Sequence, residues 1–169
     1  MKKHSTLLWA SSLLLASATL VIAHPHINKT ITAMLPGNVT ATITYNTTPA
    51  NEAHAKETAV GDFVTPRNPR LKLSADLKAG SLTIPTGEYT IGVIKNGEAD
   101  WTMALYPGTI PRGEKPDMSK MLKLESSFSN KEGVAPHMLI DISPGAGKFE
   151  GRVVLTLHFG SLYLAGALT

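Results

Sequence analysis

The sequence predicts an all-β protein built from antiparallel strands, either a β-sandwich or, as the alternative, a flattened β-barrel. Two observations support this prediction: short stretches alternate apolar with polar residues, and Gly, Pro and Asn separate them. A third is that no long stretch after residue 23 repeats apolar residues with the 3.6-residue period of a helix. We expect about eight or nine strands, enough for two stacked sheets.

The alternation is plainest in residues 39–45, where threonines separate Val39, Ala41, Ile43 and Tyr45. Successive side chains of a strand point to opposite faces, so the apolar set lies on one side and the threonines on the other. This pattern is typical of an antiparallel strand with one face on the core and one face in water.

Residues 51–60 are the one stretch that suggests a helical turn. They are rich in Ala and Glu, and Gly61 follows them as an end signal. Beyond it, Pro66 and Pro69 predict an ordered loop or a broken edge strand over residues 61–70, because proline cannot donate a backbone hydrogen bond to a sheet.

A β-hairpin is the clearest local prediction. Residues 88–95 and 101–106 both alternate, and Asn96-Gly97 lies after the first of them. Asn-Gly tolerates the positive φ angles that tight hairpin turns require, so we expect the turn there. One face should then carry Tyr89, Ile91 and Val93 beside Trp101, Met103 and Leu105.

The rest of the chain continues in the same manner as one domain over residues 24–169. Residues 107–118 hold three prolines and predict a polar loop. Residues 145–148, Gly-Ala-Gly-Lys, resemble a phosphate loop only superficially, because Ile142 and Phe149 stand where that motif needs Gly and Ser or Thr. A hairpin turn is expected there. The remaining predicted strands are residues 71–73, 77–84, 121–128, 137–142, 152–159 and 162–168.

Residues 1–23 have the composition of an export signal peptide. Lys2 and Lys3 precede an apolar stretch that ends in small residues. Cleavage is expected after Ala23, with a second possible site after Ala18. The apolar stretch is shorter than the roughly 20 residues that a membrane span needs. We therefore expect a periplasmic or secreted bacterial protein with no stable membrane insertion after cleavage.

Charge and cysteine content exclude several classes of protein. The chain has 16 Lys plus Arg and 13 Asp plus Glu, and removal of Lys2 and Lys3 with the leader leaves 14 basic side chains against 13 acidic ones. A net charge near +1 does not favour nucleic acid as a partner. The absence of cysteine excludes disulfides, thiol chemistry and a lipid anchored at the cleavage site.

Several segments together carry a resemblance to a known family. Residues 84–90 read Ile-Pro-Thr-Gly-Glu-Tyr-Thr, residues 100–102 read Asp-Trp-Thr, and residues 155–160 read Leu-Thr-Leu-His-Phe-Gly. With the Tyr and Pro of residues 44–49, they resemble the bacterial exported family called domain of unknown function 2911. The family's usual Trp-Arg-x-Gly segment is absent, and residues 63–70 stand in its place. The resemblance implies a fold and a location but no activity.

The histidines raise a copper hypothesis. Cleavage after Ala23 would place His24 first, where its amine and ring Nδ1 can chelate Cu(II) together. Pro25 has no amide hydrogen, so the other N-terminal copper motif, which uses the second residue's amide nitrogen, is excluded. A further imidazole would come from His26, His54, His137 or His158, of which His137 and His158 sit on predicted strands.

The aromatic residues suggest a ligand-binding surface. Tyr89, Trp101 and Tyr106, with Tyr45, could stack against sugar rings, but for Tyr89 and Trp101 the sequence favours a role as core partners across the hairpin. Their burial distinguishes the two interpretations.

Catalytic motifs are scarce. No serine has glycine at both positions minus two and plus two, and Glu88, Asp100 and Asp141 are the scattered carboxylates that a hydrolase would need to bring together. The sequence therefore favours a non-enzymatic, exported binding or accessory module without a cofactor, whose partner is a small molecule, a glycan or a protein. A copper protein that uses His24 is the alternative, and a hydrolase ranks last.

Overall fold

The computed structural model describes residues 27–169, and the prediction of an all-β antiparallel protein is confirmed in them. Thirteen strands, one α-helix and two 3₁₀ turns form this part of the chain. Thirteen exceeds the eight or nine expected because several strands have only two to four residues. The strands are β1 (Asn28–Leu35), β2 (Val39–Asn46), β3 (Phe63–Val64), β4 (Arg70–Leu73), β5 (Leu77–Ala79), β6 (Leu82–Ile84), β7 (Gly87–Gly97), β8 (Asp100–Pro107), β9 (Leu122–Lys123), β10 (Ser126–Ser129), β11 (Ala135–Pro144), β12 (Val153–Gly160) and β13 (Leu162–Ala167).

Two sheets contain most of the strands. The larger sheet has the order β1-β2-β4-β7-β8-β9, with β3 on the same edge of β7 as β4. The second sheet has the order β10-β13-β12-β11, and β5 pairs with β6 as a separate short hairpin. All these pairings are antiparallel. The predicted broken edge strand in residues 61–70 is thus β3 and the loop that leads to β4.

The two sheets share one hydrophobic core, because each turns one apolar face toward the other. Burying these side chains supplies the main favourable free energy of folding. The alternation predicted for residues 39–45 is confirmed, since Val39, Ala41, Ile43 and Tyr45 are all buried. The larger sheet contributes Ile43, Leu71, Ile91, Met103 and Leu105 to this core, and the second sheet contributes Met138, Ile140, Leu155, Leu157 and Leu164.

Among the described residues the chain passes from one sheet to the other once, and an isolated bridge links the two sheets at a second place. After β9 the chain leaves the larger sheet, and Ser126 accepts the Met103 N–H at 2.8 Å before β10 joins the second sheet. The strand predicted over residues 121–128 is therefore two short strands in different sheets. After β2 the chain meets β11, where Pro49 pairs with His137.

The predicted hairpin is confirmed as β7 and β8, but the predicted position of its turn is wrong. Asn96 and Gly97 continue β7, Gly97 is opposite Asp100, and Glu98 and Ala99 are the two turn residues. The physical reason is that the Asn96 carboxamide bonds across the hairpin instead of shaping the turn. It donates to Thr102 Oγ1 at 2.8 Å and to Asp100 Oδ1 at 3.3 Å.

The helical turn predicted in residues 51–60 is confirmed as α1 (Glu52–Glu57). Asn51 caps it by accepting the Ala53 N–H at 3.2 Å, which satisfies one of the free donors of the first turn. None of the six helical residues is fully buried, and Ala55 is the one apolar residue of α1 that packs, partly buried, against the core. Polar contacts of Glu52 and of the Lys56 carbonyl also hold the helix.

Candidate functional site

A cavity of about 330 Å³ lies between the two sheets beneath α1. Its volume is in the lower part of the range of small-molecule sites, and its lining is mainly apolar, as is usual for such sites. The larger sheet contributes Val64, Val93 and Trp101, the second sheet contributes Phe128, Leu157, Phe159, Leu162 and Leu164, and α1 with the adjoining loops contributes Thr48, Pro49, Asn51, His54, Ala55, Pro66 and Arg67.

The cavity walls continue the hydrophobic core toward one end of the two sheets. Leu157 and Leu164 are buried core residues and Trp101 is 6% exposed, whereas Val93 and Phe159 are only half-buried. The core is therefore filled in the middle and open beneath α1. Because the cavity walls belong to paired strands, they are rigid compared with the short helix above them.

Glu52 fastens α1 over the cavity. Its carboxylate accepts the Ser161 backbone N–H at 2.5 Å and the Ser161 hydroxyl at 3.0 Å, in the turn between β12 and β13. These hydrogen bonds, chiefly the one from the backbone, hold the pKa of the Glu52 carboxyl below its usual range. A second fastening comes from Lys95, whose ammonium donates to the Lys56 carbonyl at 2.7 Å.

Trp101 lines the cavity and also carries an unsatisfied buried donor. Its indole Nε1 is buried and has no hydrogen-bond partner; in residues 27–169 the only other buried side-chain atom in this state is His158 Nε2. The Lys95 ammonium lies 5.8 Å from the centre of the Trp101 ring and provides no acceptor. Leaving a buried N–H unpaired costs about 1–3 kcal/mol, so an acceptor at this point would be stabilising.

The rim of the cavity is polar and positively charged. Arg67 is exposed and forms no ion pair with any residue in 27–169. His54 is also exposed, and its ring nitrogen lies 3.8 Å from the Glu57 carboxylate. No Asp or Glu lines the cavity.

The three predicted aromatic site residues do not come together. Trp101 and Tyr89 lie on the inward face of the larger sheet, and Tyr89 donates its hydroxyl to the Pro85 carbonyl at 2.5 Å. Burial raises the pKa of Tyr89. Tyr106 lies five residues after Trp101 on β8 and opposite Thr90, so it faces the other side of the sheet. Of the three, only Trp101 lines the cavity.

The predicted copper ligand His24 lies outside the described residues, so the copper hypothesis stays a prediction. His137 is on β11 in the bridge with Pro49, and His158 is on the outer face of β12, edge to face with Tyr163 at 5.5 Å between ring centres. In residues 27–169 no three His, Cys, Asp or Glu side chains are grouped so that they could hold a metal ion.

A second, more open groove of about 620 Å³ lies on the outer face of the second sheet, beside β1. It contains His158 with its unpartnered Nε2, and its polar groups include both signs of charge, Lys29 and Asp141. This mixture does not point to one ligand chemistry.

Most of the residues that line the cavity could not be predicted as site residues from the sequence. Phe159 and Leu162 were expected only as strand residues, and Arg67 was expected only as part of a loop. One signal was present: Pro66 and Pro69 enclose Arg67 and Asn68, which adopt φ angles of 57° and 46° and form a tight turn at the rim. β1 was missed as well, although Thr30, Ile31, Thr32 and Ala33 alternate in the same manner as β2.

Comparisons of the chain with protein-family models, with curated proteins and with solved structures found no match in any of the three. The resemblance to domain of unknown function 2911 therefore stays a prediction. Among the described residues, no helix combines the length and the apolar character needed to cross a membrane.

Proposed function

We propose that this protein is an exported, non-enzymatic binding module that holds a small apolar molecule between its two sheets. The observation that carries the proposal is the apolar cavity of about 330 Å³ between the two sheets, which Trp101 lines and to which no Asp or Glu contributes. A ligand with an apolar body would fill this space and remove its own apolar surface from water.

The cavity limits the size of the ligand. A cavity of about 330 Å³ lies near the lower end of the range of small-molecule sites, so we expect a compact ligand. Small ligands gain at most about 1.5 kcal/mol per atom and usually far less, so we expect dissociation constants in the micromolar to hundred-micromolar range. Octan-1-ol is within the size limit and supplies an acceptor oxygen.

A fluorescence titration tests binding at Trp101. Trp9 and Trp101 are the only tryptophans of the chain, so the full-length W9F variant reports on Trp101 alone. Titration with octan-1-ol should change the Trp101 emission in a saturable manner. Emission that stays constant, or that drifts linearly without saturation, would contradict the proposal.

A pair of variants on α1 locates the binding site. Ala55 lines the cavity from α1, whereas Ala53 is exposed and does not line it. The A55F ring should occupy part of the cavity and weaken octan-1-ol binding at least tenfold by isothermal titration calorimetry. A53F, the matched control, should bind as the unmodified chain does. Equal binding by the two variants would place octan-1-ol elsewhere.

A further inference from the structure

We infer that the preferred ligand is a compact apolar carboxylate, such as a medium-chain fatty acid, with its tail in the cavity and its carboxylate at Arg67. This inference rests on the proposed function and adds the chemical class of the ligand. It depends on the charge of the rim, the hydrogen-bonding character of the lining and the size of the cavity.

Charge comes first. Arg67 carries the one permanent charge among the lining residues, and no carboxylate in residues 27–169 neutralises it. The two acidic groups of α1 have other partners, since Glu52 accepts hydrogen bonds from Ser161 and Glu57 lies beside His54. A guanidinium presents a planar fork of donors that matches a carboxylate. The rim therefore attracts an anion and disfavours a cation.

The hydrogen-bonding groups of the cavity lining also favour an anionic ligand. Arg67 has donors and no acceptor, and Asn51 uses its side-chain oxygen to accept the Ala53 N–H, which leaves the NH₂ group of its carboxamide as a donor. The other polar side chains of the lining, Thr48 and His54, can both donate and accept. A ligand rich in acceptor atoms is complementary to these donors, and a carboxylate has acceptors only.

Size restricts the tail. A cavity of about 330 Å³ favours a tail of medium length, and we take an acid of about eight to ten carbons as the ligand to test. Each buried methylene improves transfer from water by about fourfold in the dissociation constant. Affinity should rise at that rate from hexanoate to octanoate and stop rising beyond decanoate, where the tail exceeds the cavity.

Calorimetry with three ligands of equal chain length tests the head group. We expect the full chain at pH 7.5 to bind octanoate more tightly than octan-1-ol, and octylamine most weakly. R67Q should weaken octanoate binding threefold to tenfold and change octan-1-ol binding less than twofold, because only the carboxylate uses the charge. R67K, which keeps a positive charge, should recover part of the loss.

R112Q is the matched control for the loss of one positive charge. Arg112 is exposed in the loop after β8 and does not line the cavity, so R112Q should bind octanoate as the unmodified chain does. If R112Q and R67Q weakened octanoate binding equally, the effect would be one of net charge and the inference would fail.

The possible failures are distinguishable. If octan-1-ol binds in the cavity but octanoate binds no more tightly, or if R67Q affects both ligands alike, the carboxylate inference is wrong and the proposed function stands. If neither ligand binds, both are wrong. An affinity that keeps rising from decanoate to hexadecanoate would also overturn the inference, because it would place the tail outside this cavity.

Discussion

Replacing Glu52 with alanine should release α1 from the cavity while the two sheets stay folded. No residue of α1 is fully buried, so its position depends largely on a few polar contacts. These are the two hydrogen bonds from Ser161 to the Glu52 carboxylate, at 2.5 and 3.0 Å, and the one from the Lys95 ammonium to the Lys56 carbonyl, at 2.7 Å. E52A removes both bonds and leaves the Ser161 donors free to bind water.

The free-energy cost of E52A follows from the strength of those two hydrogen bonds. A hydrogen bond to a charged group contributes about 1.5–3 kcal/mol when well buried, and the Glu52 side chain is 24% exposed, so we take about 1 kcal/mol for each. A loss of about 2 kcal/mol corresponds to a roughly 30-fold increase in the population of the open helix. The melting transition of the whole domain should change little, since the core is untouched.

Hydrogen exchange followed by mass spectrometry measures this opening directly. Peptides that cover residues 51–62 should exchange about 30-fold faster in E52A, while peptides from β12 keep their protection. E57A is the matched control on the same helix, because Glu57 is 75% exposed and its one ion pair within residues 27–169 is with His54, at 3.8 Å. The reasoning would be refuted if E52A and E57A exchanged at the same rate, or if β12 lost protection together with α1.

Three further outcomes are expected. Because the pKa of Glu52 is lowered in the folded protein, its hydrogen bonds with Ser161 stabilise the closed position of α1 fully above the ordinary carboxyl pKa of about 4.3. This stabilisation is lost as the pH falls through the lower folded-state pKa, so exchange rates of the unmodified chain and E52A should converge in acid. G166A should destabilise the domain by about 1–3 kcal/mol in urea unfolding, because the new Cβ would lie 2.7 Å from Met103 Cβ, whereas G97A, with only Asp100 Cβ at 3.8 Å, should be nearly neutral. For the copper hypothesis, mature protein that begins at His24 should bind Cu(II), and one alanine added before His24 should abolish that binding; unchanged affinity in the extended protein would exclude an N-terminal site.

The position of the turn between β7 and β8 could not be predicted from the local sequence. Asn96-Gly97 is a strong turn signal, yet both residues remain in β7, because the Asn96 side chain bonds to Thr102 and Asp100 on the neighbouring strand. The side-chain faces were nevertheless predicted correctly, since Ile91 pairs with Leu105 and Val93 with Met103. The alternation of side chains between the two faces of a strand does not change when the turn moves by a few residues, whereas the position of the turn depends on contacts between the strands.

The surroundings of Trp101 at the candidate site could not be predicted from the local sequence either. The place of Trp101 on an inward-facing strand position could be predicted from alternation alone, and the sequence left open whether it serves the core or a ligand. The structure places it among the buried core residues and also in the lining of the cavity. That result depends on α1, β12 and β13, which are far from Trp101 in the sequence.

Alternation of apolar and polar residues by itself determined that this protein is all-β, where most strands lie and which of their side chains turn inward, because strand periodicity is a property of a few consecutive residues. Only the tertiary structure decided that the inward faces separate beneath α1 and leave a cavity, and that Arg67 stands at its rim. Those features require segments from residues 48 to 164 to meet, and the geometry of such distant contacts is set by the packing of whole sheets.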